Sequence, residues 1–361
     1  RAWIFSQTFG AWRWPLSSAS QPADLMLQPP CSSGGDYESV AFVGERLYVA
    51  CGNDNRVVGY ERMPTADARP TIVLGAPDLE TNTLLSRHIV QNGALATDGR
   101  SLFAASDFDR RLSIWSALPK ESGTPPDLVY RFGEFAPWDI ALHGDRLALA
   151  GKDSVWVWTS LARVRAGASP DRVYQGRVGS VAVRELRGVA LDADHLYLSD
   201  AEAGKVYVFS GLPEEGQAPK ATRELEAPQR IASDGEVLLV TSQQTLLVYR
   251  VSRLGAGTAP GRVGGVGRLN LPQMALTVGR RLFIADTAFA RVLVWDDIDR
   301  AVAGQWPPDA ILGQKDAVEV GSAIGRDRLF TPASLAWDGD GLWVAEIKFA
   351  NRIVRFRPEA P

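Results

Sequence analysis

Pro272-Gln273-Met274-Ala275-Leu276, Leu282-Phe283-Ile284-Ala285-Asp286, Arg291-Val292-Leu293-Val294-Trp295 and Asp309-Ala310-Ile311-Leu312-Gly313 are four short apolar runs within one stretch of chain. Turn residues or a Pro-Pro link separate them, and their length and patterning predict four strands joined by tight connections. The second run recurs seven times. It reads Leu47-Tyr48-Val49-Ala50, Leu102-Phe103-Ala104-Ala105, Leu147-Ala148-Leu149-Ala150, Leu196-Tyr197-Leu198-Ser199, Leu238-Leu239-Val240-Thr241, Leu282-Phe283-Ile284-Ala285 and Leu342-Trp343-Val344-Ala345. Six positions before each leading Leu stands Ala41, Ala96, Ala141, Ala190, Ala232, Leu276 or Ala336, so one hairpin of constant length repeats throughout.

The third run recurs as Arg56 to Tyr60, Arg111 to Trp115, Ser154 to Trp158, Lys205 to Phe209, Thr245 to Tyr249, Arg291 to Trp295 and Arg352 to Phe356. A weaker fourth run follows a Pro-containing link at Thr71 to Gly75, Asp127 to Phe132 and Asp309 to Gly313. The leading Leu residues are 55, 45, 49, 42, 44 and 60 positions apart, close to the roughly 40 to 50 residues of a four-stranded propeller blade. The prediction is one all-β domain over residues 1–361, a β-propeller of seven blades with four antiparallel strands each. The seventh unit lacks a fourth run, and Gln21 to Gln28 matches Gln305 to Gln314, so residues 1–28 are expected to close the last blade. Arg1-Ala2-Trp3-Ile4-Phe5 looks like another third strand and is one strand too many for that scheme. It would displace part of the seventh blade, add an outer strand or be the remnant of a further unit upstream, and it keeps six or eight blades open.

Composition excludes several classes. The 361 residues are 45% apolar with a net charge of −3, which argues for a packed globular protein and against one that coats nucleic acid or an anionic membrane. No apolar stretch is long enough for a membrane helix, and the chain begins at Arg1 with neither an initiator Met nor a signal peptide, so the native start is expected to be missing. Arg far exceeds Lys, a bias read as that of a GC-rich bacterial genome.

These units resemble the NHL-repeat β-propellers of the bacterial extracellular kind. The resemblance rests on Leu282 to Asp286, Arg291 to Trp295, the link ending in Asp309, and Leu312-Gly313-Gln314, with further matches at Leu74 to Leu79 and Asn351 to Phe356. It covers essentially the whole chain, whereas the Gly-His and Trp-Asp markers of WD40 repeats are missing. The units depart from the pattern where Ser154 and Thr245 replace the Arg. The strand-end acid is present as Asp200, Asp286 and Glu346, and its first reading is structural, a carboxylate that caps turn amides. The resemblance implies a secreted, periplasmic or cell-envelope binding platform, a monomer, whose partner is a protein or a small polar ligand.

In such a fold, ligands meet the face that carries the second-to-third-strand loops and the connections into each first strand. Glu38, Trp138, Asp139, Arg187 and Arg230 fall there and are the candidate ligand-binding residues. Asp200, Asp286 and Glu346 fall there too, and with hard oxygen ligands a Ca²⁺ ion stays compatible with them. A Ca²⁺-dependent lyase or lactonase is therefore the alternative to a platform without a cofactor, although the reading leans against an enzyme. His88, His143 and His195 lie on opposite faces and cannot converge on zinc. Gly261 to Gly267 resembles a nucleotide fingerprint, yet no helix is expected after it. Cys31 and Cys51 fall on one face and are candidates for a disulfide, which would imply an oxidising compartment. Trp12, Trp14 and Trp306 lie in connecting segments, either packed there or forming an aromatic patch for a partner.

Overall fold

All seven marker runs are second strands, at Arg46–Cys51, Leu102–Ser106, Arg146–Gly151, His195–Asp200, Val237–Thr241, Arg281–Asp286 and Leu342–Glu346. Each pairs with the run before it and the run after it in one antiparallel sheet. The computed structural model describes residues 3–5, 10–27, 37–51, 56–65, 68–81, 93–347 and 350–357. The chain divides into two units, Arg1–Ser86 and Arg87–Pro361.

The second unit holds repeats two to seven, here blades I to VI, spanning residues 94–131, 139–175, 186–224, 231–264, 272–312 and 332–356. Their innermost strands meet in order around one axis, and Pro332–Trp337 of blade VI meets Ala94–Thr97 of blade I. The ring is a β-propeller and closes with six blades where seven were expected, because the last repeat meets the second and repeat one belongs to the first unit. One apolar residue from each innermost strand, Leu95, Ile140, Val189, Ile231, Met274 and Leu335, lines a narrow axial channel of about 150 Å³.

Polar side chains at the strand ends stitch neighbouring blades together. Asp139 Oδ2 accepts from the Val189 N–H at 3.0 Å, Ser199 Oγ donates to Gln229 O at 2.5 Å and Thr241 Oγ1 to Gln273 O at 3.1 Å. Thr287 Oγ1 donates to Pro332 O at 2.6 Å, and Ser334 Oγ accepts from the Leu95 N–H at 2.9 Å across the closing junction. These bonds satisfy backbone groups that the shortness of the inner strands would otherwise leave orphaned.

Within a blade, a second device fixes the outer strand. The Trp that ends the third strand donates its indole N–H to a carbonyl of the link: Trp115 to Thr124, Trp158 to Ala168 and Trp295 to Gln305. An Asp opening the fourth strand then accepts from the next amide: Asp127 from Ser116 at 2.7 Å, Asp171 from Thr159 at 2.8 Å and Asp309 from Asp296 at 2.9 Å. The link is pinned at both ends, which is why Pro-rich sequence can turn there without losing register.

The first unit contains repeat one, a four-stranded sheet of Tyr37–Val43, Arg46–Cys51, Arg56–Tyr60 and Ile72–Leu74, and a three-stranded sheet of Trp3–Phe5, Gly10–Arg13 and Leu25–Met26. Here the structure departs from the expected closure. Leu25–Met26 is an outer strand, as its sequence suggested, but it completes this three-stranded sheet by pairing with Gly10–Arg13. The same clasp explains the choice: Trp12 donates to Gln21 O at 2.9 Å and Asp24 accepts from the Arg13 N–H at 2.7 Å. A partner eleven residues away outcompetes a distant one because little loop entropy is spent. The sheet of blade VI accordingly has three strands among the described residues.

Trp158 is fully buried, so Trp158→Phe removes one indole bond and leaves a small void. The expected cost is about 1–2 kcal/mol, read as a lower urea midpoint with an unchanged slope.

Candidate functional site

Two glycines shape the mouth of the ring. A Cβ on Gly151 would sit 2.0 Å from Ala136 O, so only glycine lets the connection into blade II pass close against the end of the second strand. That passage sets Trp138, whose N–H donates to Ala150 O at 2.7 Å. A Cβ on Gly188 would lie 2.8 Å from the Ile231 N and 2.9 Å from Gln229 O. Its absence lets the segment carrying Arg230 approach blade III.

Four of the five candidate ligand-binding residues come together there. The Arg187 guanidinium lies 4.2 Å from the Trp138 ring centroid, within cation–π range, and that of Arg230 lies at 5.9 Å. Arg187 is 28% exposed and pairs with Glu185. Arg230, only 3% exposed, belongs to the interior: Nη2 donates to Trp138 O at 2.8 Å and Nη1 to Ala333 O at 2.9 Å. One guanidinium from blade IV thereby ties blade II to blade VI across the channel. Its Nε faces Asp139 Oδ1 at 3.6 Å, beyond hydrogen-bond reach, and neither atom has a hydrogen-bond partner among the described residues. Burial outweighs the attraction of Arg230 and pushes the Asp139 carboxyl up to about 7, and burial likewise lowers Arg230. Asp139 and Arg230 are thus committed to the ring, and Trp138 with Arg187 remain as its open polar feature. Glu38 lies in Tyr37–Val43 of the first unit, and its side chain is outside the described residues.

The three candidate metal carboxylates are not brought together. Asp200 accepts from the Arg184, Glu185 and Ala203 amides. Asp286 accepts from the Asn270 N–H at 2.7 Å and from Arg291 Nε at 2.8 Å, and burial raises it to about 6. Glu346 accepts from the Phe330 N–H and Arg352 Nε. Arg291 and Arg352 then each bond two further carbonyls, Arg268 O with Ala317 O and Arg328 O with Gly325 O. Each acid therefore brackets the loops of its own blade, and among the described residues no three His, Cys, Asp or Glu groups are placed to hold a metal ion. A lyase or lactonase centre needing one shared ion finds no support in this geometry.

Cys51 is disulfide-bonded, and the only other cysteine of the sequence, Cys31, lies outside the described residues, as does His88. His143 and His195 sit at first hairpins. His195 Nδ1 lies 3.1 Å from Asp192 Oδ1 and its Nε2 lies 2.9 Å from Lys220 Nζ. Gly261–Gly264 is an outer strand followed by left-handed turn glycines, with no helix after it. Trp306 packs beside Trp295 at 6.3 Å between centroids, whereas Trp14 is exposed.

Sequence reasoning missed the exposed apolar side chains of the ring. Among the described residues of the second unit these are Phe108, Val173, Val266, Leu271, Val318, Val320 and Ile324. All except Val173 stand on second-to-third-strand loops or on connections into a first strand. They share one face of the ring with Trp138 and Arg187. A loop valine carries no strand periodicity, so its only signal was the run Ala317-Val318-Glu319-Val320 between polar turns.

Asp139 titrates higher in the folded protein than unfolded. Its contribution to stability is therefore greatest below a pH of about 4 and fades as pH rises through about 7. The urea midpoint of Asp139→Asn should fall less than that of the parent between pH of about 5 and about 8, and equal falls refute the shift. Arg230→Met, which leaves that carboxyl unpaired, should cost about 3–5 kcal/mol, and adding Asp139→Asn should recover part of it.

No protein-family model matches the sequence, and no curated protein matches it. Among solved structures, a chain of "Crystal Structure of Mitotic Checkpoint Complex" is similar over 88% of this chain and 88% of its own, at 13% identity and a TM-score of 0.46. A likeness this distant carries no argument about function.

Proposed function

We propose that the protein is a non-catalytic binding platform of the NHL-like propeller kind that engages a protein partner through the channel-mouth face of its ring. The observation that carries this reading is the one-sided distribution of exposed apolar side chains. Val266 and Val318 are 86% and 85% exposed, and apolar groups gathered on one face, around a polar centre, are the usual composition of a contact surface. Arg187, stacked on Trp138, supplies the kind of cationic aromatic anchor on which binding energy concentrates. The channel, about 150 Å³, is lined mainly by apolar strand residues with Thr97 and Ser233, which suits a surface that docks a partner better than one that turns over a substrate. The disulfide at Cys51 supports the cell exterior, periplasm or envelope as the place of work.

The test places a photo-crosslinking residue at Val318 or Ile324 on this face and, as control, at Glu236 in a hairpin turn of the other face, in cells of the native host. The expected outcome is one adduct of the same mass from both face positions and none from Glu236. Arg187→Ala should weaken that contact by about tenfold or more if it is an anchor. No adduct, or equal adducts from both faces, overturns the proposal.

A further inference from the structure

We propose that the outer edge of blade VI is a second docking surface, a groove that takes an extended, acid-led segment of a partner protein as the missing fourth strand. Blades I to V carry four strands each, whereas blade VI ends at Arg352–Phe356, with no strand on its outer side among the described residues. Such an edge presents unpaired N–H and C=O groups and is a template for strand addition. It is not left flat against solvent. A groove of about 720 Å³ runs between this edge and the Pro119–Thr124 link of blade I, with Trp115 and Trp343 on its floor.

The occupant follows from the clasp shared by blades I, II and V and from charge. In blades I, II and V the fourth strand opens with Asp127, Asp171 or Asp309, each accepting from the amide that follows the aromatic end of the third strand. Phe356 is that aromatic in blade VI, so the amide awaiting a carboxylate belongs to Arg357. Around it the groove is lined by Lys120, Arg326, Arg352, Arg355 and Arg357, against the single acid Glu121. Arg352 and Arg355 are held by Glu346 and Asp338. Lys120 and Arg326 form no ion pair among the described residues, and Arg357 is 66% exposed with its nearest acid, Asp340, at 3.8 Å. An acid at the head of the incoming strand would receive the Arg357 amide and meet this cationic rim, and the apolar residues after it would run along the edge as Ala310–Leu312 does in blade V. The proposal does not depend on the channel-mouth face.

The probe is a labelled peptide with the sequence of residues 307–314, read by fluorescence anisotropy against the full chain, beside a scrambled peptide and one carrying Asn for the Asp. Saturable binding of the first is expected, weakened about fivefold or more by the Asn form, the worth of one charge-assisted hydrogen bond. Arg326→Glu/Arg357→Glu should abolish it, with an unchanged urea midpoint showing that the fold is intact. Several results overturn the proposal: no binding, equal binding of the scrambled peptide, or binding indifferent to the double variant. Binding that appears only in Asp24→Asn/Leu25→Ser overturns it also, since the chain would then supply its own strand. Concentration-dependent self-association that the peptide cannot compete away would assign the edge to a second copy instead.

Discussion

Arg230 crosses the axis of the ring, and its two terminal nitrogens hold carbonyls of blades II and VI while its own backbone belongs to blade IV. In a closed ring of sheets each blade packs mainly on its neighbours, and the bonds of Arg230 join three blades that are not adjacent, II, IV and VI. Its environment makes it unforgiving. A buried guanidinium is costly where its donors are unmet, and here its two terminal nitrogens rely on main-chain oxygens whose positions the ring must maintain, while Nε has only the Asp139 carboxyl at 3.6 Å. Asp139 completes the arrangement from the other side, because its second oxygen takes the Val189 amide and so couples the charge to the junction between blades II and III.

The rest of the ring is organised to keep those acceptors in place. Ser199, Thr241, Thr287 and Ser334 each make a short polar link to the next blade, the first three from the end of a second strand or the turn after it and Ser334 from an innermost strand. Apolar contact alone would let neighbouring blades slide, since it has no direction. A hydroxyl bonded to one particular carbonyl fixes the offset. The glycines at 151 and 188 belong to the same scheme: they allow the incoming segment close enough for the bond to form.

Most of the architecture was legible because it is local. The marker Leu runs, the constant hairpin and the aromatic ends of the third strands register within about 50 residues of one another, and all seven units appear as sheets. The outer strands were read a residue or two long, as with Asp127 to Phe132 against Leu128–Arg131, because the Asp and the residues after it serve the clasp before the ladder. The choice of partner for Leu25–Met26 was not legible, since its pattern fits any third strand and only the proximity of Trp12 decides. The site was half legible. Register placed Trp138, Asp139, Arg187 and Arg230 around one opening, but register cannot say which side chains are already occupied. Asp200, Asp286 and Glu346 looked like a ring of ligands for that reason, while the Arg five or six residues after Asp286 and Glu346 was the sign that those carboxylates had partners.

Closure between blades VI and I by side-chain packing and the Ser334 bond, with no strand lent across the seam among the described residues, leaves each blade a self-contained sheet. Propellers that borrow a strand must conserve the pairing of first and last segments whenever a repeat is gained or lost. Here a duplication of one blade's length of gene would leave every hydrogen-bonded sheet whole, and the sequence that must adapt is the pair of faces that meet at Leu95 and Ser334 together with the cross-channel bonds of Arg230.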